Sequence, residues 1–171
     1  MKPSSRTLAM LALAALISTT ALPQRAVAAG ALAPGTDAPP FALKRDTSGT
    51  LTFASVRGRP IYLNFFASWC GPCIQEAPSI ARLTTKYQPH GLMTIGIDEL
   101  EDASKGIDFS NRYRLPYVVL VDPDGQTGKD YGALGLPVHV FIARNGKIST
   151  YRLGEMNPTE IEAAIKKIIA P

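Results

Sequence analysis

Hydrophobic runs and turn-forming residues alternate along the chain in a pattern that predicts short strands. Nearly continuous apolar runs at 61–67, 92–98 and 117–121 are typical of strands buried on both faces of a sheet. Turn residues at 46–49 and 144–146 predict two hairpins. The strands predicted within the hairpins are 41–44, 51–53, 138–143 and 147–152.

Helical segments separate these strands. The predicted helices cover Pro72 to Tyr87, a stretch between Asp102 and Tyr113, Gln126 to Tyr131, and an amphipathic segment from Pro158 with Ile161, Ile165, Ile168 and Ile169 on one face. Pro72 suits a first helical turn, where its missing N–H is not needed, whereas Pro78 is expected to kink the same helix. The order of elements predicts an α/β fold with an N-terminal hairpin and a central mixed sheet flanked by helices.

The first 28 residues have the pattern of a secretory signal peptide. Lys2 and Arg6 precede an apolar run, and Ala26-Val27-Ala28 supplies small residues before a cut at Ala29. The run is shorter than the roughly 20 residues that span a bilayer, although an uncut membrane anchor stays open as the alternative. We therefore expect a signal peptide at 1–28, one domain at 29–171, and a periplasmic or other extracytoplasmic location.

Charge gives no indication of a nucleic-acid partner. The chain of 171 residues has a net charge of +4, but three basic residues lie in the predicted signal peptide, so residues 29–171 carry 15 basic and 14 acidic residues. No cluster of Lys and Arg with interleaved aromatic residues remains. We expect a monomer that binds proteins and no nucleic acid.

The two cysteines of the chain, Cys70 and Cys73, are separated by two residues. A disulfide across so small a loop constrains the unfolded chain little, so chemistry explains the pair better than stability does. Cys70 lies where a buried strand gives way to a helix, and the free N–H groups of a helix N-terminus favour a thiolate. We predict that Cys70 attacks a partner disulfide and that Cys73, one turn further on, resolves the mixed disulfide.

Other interpretations of this spacing are weaker. A zinc site needs about four ligands, and His90 and His139 are the only histidines that could join the cysteines. Covalent haem attachment needs a histidine directly after the second cysteine, where this chain has Ile74. We therefore expect a redox-active disulfide with no metal and no other cofactor.

The stretch from Asn64 to Cys73, Asn-Phe-Phe-Ala-Ser-Trp-Cys-Gly-Pro-Cys, resembles the active site of thioredoxins, and Pro78 matches their helix-kinking proline. More narrowly, residues 34–43, the first hairpin and residues 73–78 resemble the TlpA/ResA-like branch of extracytoplasmic redoxins, several of which act in cytochrome c maturation. The resemblance covers residues 34–170. It implies a thioredoxin-like fold and thiol–disulfide oxidoreductase activity.

The resemblance assigns roles to two polar residues. In the TlpA/ResA-like branch, a glutamate at the position of Glu76 transfers protons to and from the second cysteine, which lies on the same helix face. The alternative is a solvated glutamate on the helix surface. Asn64 departs from thioredoxins, which have a buried aspartate there. Either proton transfer depends on Glu76 instead, as in the TlpA/ResA-like branch, or Asn64 is merely a polar strand residue.

The resemblance also indicates where a partner binds. It implies a cis bond between Leu136 and Pro137, facing the cysteines, with the Leu136 backbone available to an extended partner chain. A trans proline that opens a strand is the alternative. Trp69 is expected to cover the site from one side; the alternative is plain core packing, and the two roles are compatible. Trp69 and Pro72 complete the predicted substrate-binding set with Leu136 and Pro137.

These observations predict an exported protein that reduces disulfides in exported substrates and is recharged by a membrane thiol electron donor. Apocytochrome c is one candidate substrate. A peroxide reductase is the first alternative, although the Pro-x-x-x-Thr-x-x-Cys pattern of peroxiredoxins does not surround either cysteine. A copper carrier that binds through Cys70, Cys73 and His139 is the second alternative.

Overall fold

The computed structural model describes residues 32–45 and 49–170. The predicted signal peptide at 1–28 lies outside the described residues, as do Asp46, Thr47 and Ser48 of the first hairpin turn. Within the described residues, no helix is long and apolar enough to cross a membrane.

Seven strands and five helices follow one another within the described residues. In order they are β1 (Ala42–Arg45), β2 (Thr50–Thr52), α1 (Phe53–Val56), β3 (Ile61–Phe66), α2 (Gly71–Tyr87), β4 (Met93–Glu99), α3 (Ala103–Tyr113), β5 (Val118–Asp122), α4 (Gln126–Asp130), β6 (Val138–Ile142), β7 (Ile148–Leu153) and α5 (Pro158–Ile169). A 3-10 turn at Gln88–His90 follows α2. The strands form one sheet in the order β2-β1-β5-β4-β3-β6-β7.

The sheet is mixed, as predicted. Strands β3, β4 and β5 are parallel, whereas β1 and β6 run antiparallel to the strands that they flank. Both predicted hairpins form, because β1 pairs with β2 and β6 pairs with β7 in antiparallel register. The mixed sheet with flanking helices and an N-terminal hairpin confirms the predicted fold class.

One local prediction is wrong. Phe53 was expected to end a strand, but it begins the short helix α1 instead. The Thr52 side chain accepts a hydrogen bond from the Ser55 N–H, which caps the helix, and Phe53 and Val56 are buried. The other predicted elements are present, most with ends within one residue of the prediction.

The two faces of the sheet bury different side chains at β3 and β6. On the face that we call the apolar face, the contributing residues are Ile61, Leu63, Phe65, Val138, Val140 and Ile142. On the opposite face, which we call the α2 face, they are Tyr62, Asn64, Phe66, His139 and Phe141. Helix α1 packs on the apolar face, whereas α2, α3 and α5 pack on the α2 face.

The N-terminus of helix α5 is fixed by side chains that the sequence places at its start. Asn157 accepts hydrogen bonds from the Thr159 and Glu160 N–H groups, while the Glu160 carboxylate accepts one from the Asn157 N–H. This reciprocal arrangement satisfies donors that a helix N-terminus otherwise leaves free. The isoleucines at 161, 165 and 168 are buried against the sheet, which confirms the amphipathic face.

Candidate active site

The cysteine pair lies at the junction of β3 and α2. Cys70 and Cys73 form a disulfide with a Cα–Cα distance of 5.3 Å. Cys70 is the N-cap of α2, and its Sγ accepts a hydrogen bond of 3.3 Å from the Cys73 N–H. A donor that meets this sulfur at a helix N-terminus also stabilises a thiolate there, which supports the expectation that Cys70 is the nucleophile.

The loop before Cys70 is held at both ends. The Cys70 N–H donates to the Ala67 carbonyl at 3.1 Å. The Glu101 carboxylate accepts from the Ser68 N–H at 2.5 Å and from the Ser68 hydroxyl at 2.7 Å. Partial burial opposes ionisation of Glu101, but a hydrogen bond with Asp98, together with the two bonds to Ser68, holds the pKa of Glu101 below its usual value. Glu101, which the sequence analysis did not single out, therefore fastens the loop to the end of β4.

Trp69 projects from this loop with 66% of its surface exposed. The alternative of a tryptophan packed in the core is therefore wrong. An exposed indole next to Cys70 suits contact with a partner protein, although its covering role stays a prediction. Pro72 lies in the first turn of α2, where the sequence placed it.

Glu76 is buried, with 6% of its surface exposed, on the same stripe of α2 as Cys73 and Ala77. Its Oε1 accepts a hydrogen bond of 2.6 Å from the Met156 N–H. The alternative of a solvated surface glutamate is therefore wrong. Glu76 also lines a cleft of about 400 Å³ between α2 and the segment before α5.

Three further polar side chains lie beneath α2 on the α2 face. The Tyr62 hydroxyl and the His139 Nδ1 are 2.8 Å apart, and both residues are fully buried. The His139 Nε2 faces the Glu76 Oε2 at 3.4 Å. Asn64, directly opposite His139 in the register of β3 and β6, is buried with no hydrogen-bond partner for its Nδ2 among the described residues.

The loop before β6 confirms the predicted cis bond between Leu136 and Pro137. Leu136 packs against the cluster that contains Cys70 and Cys73, so the loop lies beside the disulfide. Within the described residues, the Leu136 N–H and carbonyl form no hydrogen bond with the protein backbone, whereas the Pro137 carbonyl accepts one from Gly154. Leu134, two residues earlier, has 79% of its surface exposed.

Buried carboxyl groups also lie at the carboxyl end of β4. Burial, reinforced by the neighbouring Glu101, raises the pKa of Asp98 to about 9. Burial and the facing Asp122 raise the pKa of Glu99 to about 8. The Asp98 carboxyl group lies against Gly106, and the Glu99 carboxyl group lies against Gly128. A Cβ atom at either helical glycine would clash with the carboxyl group beside it.

The structure thus brings most of the predicted site residues together around the disulfide. It places His139 between Tyr62 and Glu76, with one ring nitrogen facing each. In the part of the chain that the structure describes, no three His, Cys, Asp or Glu side chains are grouped as a metal site requires. A copper site built from Cys70, Cys73 and His139 therefore has no support in the geometry.

Sequence reasoning missed Tyr62, Glu101 and Asp98. Tyr62 offered one signal, because a tyrosine in the middle of a buried strand needs a partner for its hydroxyl. The partner, His139, is 77 positions away and follows only from strand register. Glu101 and Asp98 are at a strand end, where acidic residues are common and give no specific signal.

Comparison with known proteins agrees with this geometry. A model of the AhpC/TSA family matches residues 34–151. The thiol-disulfide oxidoreductase ResA of Bacillus thuringiensis subsp. konkukian is 31% identical over 134 residues, which cover 78% of each protein. A second ResA, from Geobacillus thermodenitrificans, is 28% identical over 163 residues, covering 95% of this chain and 94% of the relative.

Solved structures give the same result. A putative thiol:disulfide interchange protein DsbE from Chlorobium tepidum has a TM-score of 0.76 and 30% identity, covering 82% of this chain and 100% of its own. A secreted disulfide oxidoreductase of Mycobacterium tuberculosis, homologous to E. coli DsbE, has a TM-score of 0.69 and 25% identity, covering 74% and 95%. With its cysteine pair in this fold, the chain belongs to the AhpC/TSA family and is a thioredoxin-fold, ResA-like thiol–disulfide oxidoreductase.

Proposed function

We propose that the protein works outside the cytoplasm as a reductant of disulfide bonds in exported proteins. The observation that carries the proposal is the placement of a buried glutamate, Glu76, one helical turn from Cys73 and on the same face of α2. An attacking cysteine at a helix N-terminus needs no base. A resolving cysteine that is buried does need one, because a buried thiol gives up its proton reluctantly.

In the first step, the Cys70 thiolate attacks one sulfur of the substrate disulfide. A bond forms between Cys70 and that sulfur, the substrate disulfide breaks, and the other substrate sulfur leaves as a thiolate. The Cys73 N–H, which is 3.3 Å from the Cys70 Sγ in the disulfide form, is placed to stabilise the attacking anion.

In the second step, the Cys73 thiol gives its proton to Glu76 and attacks the Cys70 sulfur. The Cys70–Cys73 disulfide forms, and the substrate sulfur that was bound to Cys70 leaves as a thiolate. The substrate has then gained two electrons and the protein has lost two. The proton on Glu76 then passes to water through the cleft beside Met156. Glu76 is the candidate catalytic base of this step.

The substrate binds, in this proposal, along the loop that precedes β6. The Leu136 backbone has hydrogen-bonding groups that no backbone group occupies among the described residues, so an extended peptide can pair with it as an added strand. Trp69 and Leu134 are both exposed and supply apolar contacts on that surface. Pro72 and the buried Pro137 are the remaining members of the predicted substrate-binding set.

The signal-like pattern at 1–28 and the secreted Mycobacterium relative support an extracytoplasmic location. Regeneration of the Cys70–Cys73 dithiol requires a dithiol donor that carries electrons across the membrane. The Gly-Pro pair between the cysteines is the one found in thioredoxin, a strong reductant at about −270 mV. A Cys-x-x-Cys-His segment of an apocytochrome c in its disulfide form is a candidate substrate.

A defined peptide tests the proposal. Reduced Cys73→Ser protein is mixed with an oxidised peptide that contains Cys-x-x-Cys-His, and the products are followed by mass spectrometry. We expect a stable mixed disulfide through Cys70, and complete peptide reduction by the wild-type protein. The Cys70→Ser variant is the matched control and should trap far less peptide.

Two results would contradict the proposal. Equal trapping by both single-cysteine variants would remove the assigned order of attack. A wild-type protein that leaves the peptide oxidised, while a general disulfide such as oxidised glutathione accepts its electrons, would exclude this substrate class.

A further inference from the structure

A buried polar connection lies between the active-site helix and the centre of the sheet. Glu76 on α2, His139 on β6 and Tyr62 on β3 are at most 6% exposed. The Tyr62 hydroxyl is 2.8 Å from the His139 Nδ1, and the His139 Nε2 is 3.4 Å from the Glu76 Oε2. Neither the Nε2 nor the Oε2 has a hydrogen-bond partner among the described residues.

Such an arrangement is costly unless the two facing atoms interact. A buried polar atom without a partner destabilises a protein by about 1–3 kcal/mol. At 3.4 Å, a few tenths of an ångström separate this contact from an ordinary hydrogen bond. The Nε2 and the Oε2 are therefore each other's available partners.

The hydrogen bonds also select a proton arrangement. Burial raises the pKa of Tyr62, so its hydroxyl keeps a hydrogen to donate. If that hydrogen goes to the His139 Nδ1, the neutral imidazole carries its own hydrogen on Nε2, facing Glu76. In the opposite tautomer, the Tyr62 hydrogen has no acceptor among the described residues, and a carboxylate faces a nitrogen lone pair.

We propose that His139 is a positioning residue: through its Nε2–H, with the tautomer fixed by Tyr62, it holds Glu76 as a carboxylate that is ready to accept the Cys73 proton. This inference rests on the proposed role of Glu76 as the base of the second exchange step. His139 touches neither cysteine in this scheme, and it acts through Glu76 alone. The Met156 N–H, at 2.6 Å from the Oε1, supplies the second donor to the same carboxylate.

Titratable groups from the elements that pack around this connection also lie near it. Cys73 shares the helix face of Glu76, and Glu155 lines the same cleft from the segment before α5. Arg152 on β7 lies opposite His139 in the sheet, and Tyr117 lies near Tyr62. Glu155 and Arg152 are exposed, so water screens their charges more than those of the buried groups.

The test measures the rate of the second exchange step against pH. Reduced protein reacts with the oxidised Cys-x-x-Cys-His peptide in single turnovers between pH 5 and 9. In His139→Leu, the carboxylate loses a donor and protonates more readily. We expect the acidic limb of the rate profile to move to higher pH by about one unit, so that the rate on that limb falls by about tenfold while the rate at the alkaline end stays nearly unchanged.

Three further variants separate positioning from general damage. His139→Gln should keep the wild-type profile, because an amide can donate to Glu76 and accept from Tyr62 without titrating. Tyr62→Phe should shift the profile in the same direction as His139→Leu but less, and it remains informative if His139→Leu fails to fold. Thr94→Val is the matched control, because Thr94 lies opposite Tyr62 in the sheet and is bonded to Thr84, not to Glu76.

The outcomes distinguish this inference from the proposed function. An equal loss of rate at every pH in His139→Leu would mean a merely structural role, and a His139→Gln profile shifted as far as that of His139→Leu would exclude positioning by a hydrogen bond. If Glu76→Gln keeps the wild-type profile, the proposed base is wrong. If Glu76→Gln changes the profile and neither His139→Leu nor Tyr62→Phe does, only the role of His139 is wrong.

Discussion

The two faces of β3 and β6 differ although the same strands form both. On the apolar face, Leu63 packs against other aliphatic and aromatic side chains and is fully buried. On the α2 face, one position away in the chain, Tyr62 and Asn64 are buried with His139 and Glu76. The side chains on both faces are buried from water, but those on the α2 face include polar groups.

This difference teaches where stability and chemistry are located in the molecule. Burial of apolar side chains is the main favourable contribution to folding, whereas buried polar groups cost free energy unless they are paired. In β3 and β6, the polar groups occur on the face beneath α2, the helix that carries both cysteines. We infer that the apolar face mainly stabilises the fold and that the α2 face gives up some stability to bury the polar groups of the proposed proton transfer.

A core truncation on the apolar face should have the largest effect on stability. Leu63→Ala removes a fully buried side chain, and we expect it to lower the free energy of unfolding by about 3 kcal/mol. Urea unfolding monitored by circular dichroism measures this loss. The pH profile of peptide reduction should keep its shape, and a shifted profile would show that the two faces do not have separate tasks.

A buried acid elsewhere on the α2 face should affect how stability depends on pH. Asp98 lies opposite Phe66 in the register of β3 and β4, and burial raises its pKa to about 9 in the folded protein. In the unfolded chain it ionises near pH 4, so folding takes up a proton across roughly pH 4 to 9, and this contribution to stability falls as the pH rises.

Asp98→Asn removes this titration. The variant should gain stability relative to the wild type at pH 8 and differ little from it at pH 5, as measured by urea midpoints. The remaining slope belongs in part to Glu99, whose pKa burial raises to about 8. Parallel pH dependences for the two proteins would show that Asp98 ionises normally in the folded state.

Substitution within a polar pair on the α2 face that has no connection to Glu76 should have the smallest effect on stability. The hydroxyl groups of Thr84 and Thr94 are 2.9 Å apart and buried. Thr94→Val should cost about 1 kcal/mol of unfolding free energy, the usual net value of one hydrogen bond. Activity should not change at any pH, and an altered pH profile would extend the proton-transfer network beyond His139.

Much of the fold and of the site could be predicted from residues that lie close together in the sequence. The run Ile61 to Ala67 has the composition of a buried strand, and the following Cys70 and Pro72 mark a helix N-terminus, so the placement of Cys70 follows from the sequence. Glu76 follows Cys73 by three residues, and helical periodicity alone places both on one face. The hairpin at Asn145-Gly146 depends on two neighbouring residues in the same way.

What the sequence did not reveal depends on register between distant segments. The Tyr62–His139 contact exists because β3 and β6 pair with Asn64 opposite His139, a relation that no local pattern specifies. Helix α1 was missed because its cap, Thr52, also fits a strand end. The sequence did not decide the exposure of Trp69, because tryptophan occurs both in cores and at interfaces.

The most direct test of the division between the two faces compares Glu76→Gln with the wild-type protein in single-turnover reduction of the peptide. We expect the first step, attack by Cys70, to keep its rate, and the second step, attack by Cys73, to slow by about 100-fold at pH 7 and lose its acidic limb. Unfolding free energy, measured in parallel, should not fall by more than about 1 kcal/mol. A second step that keeps its rate and its pH dependence, with a protein that has become much less stable, would contradict the account.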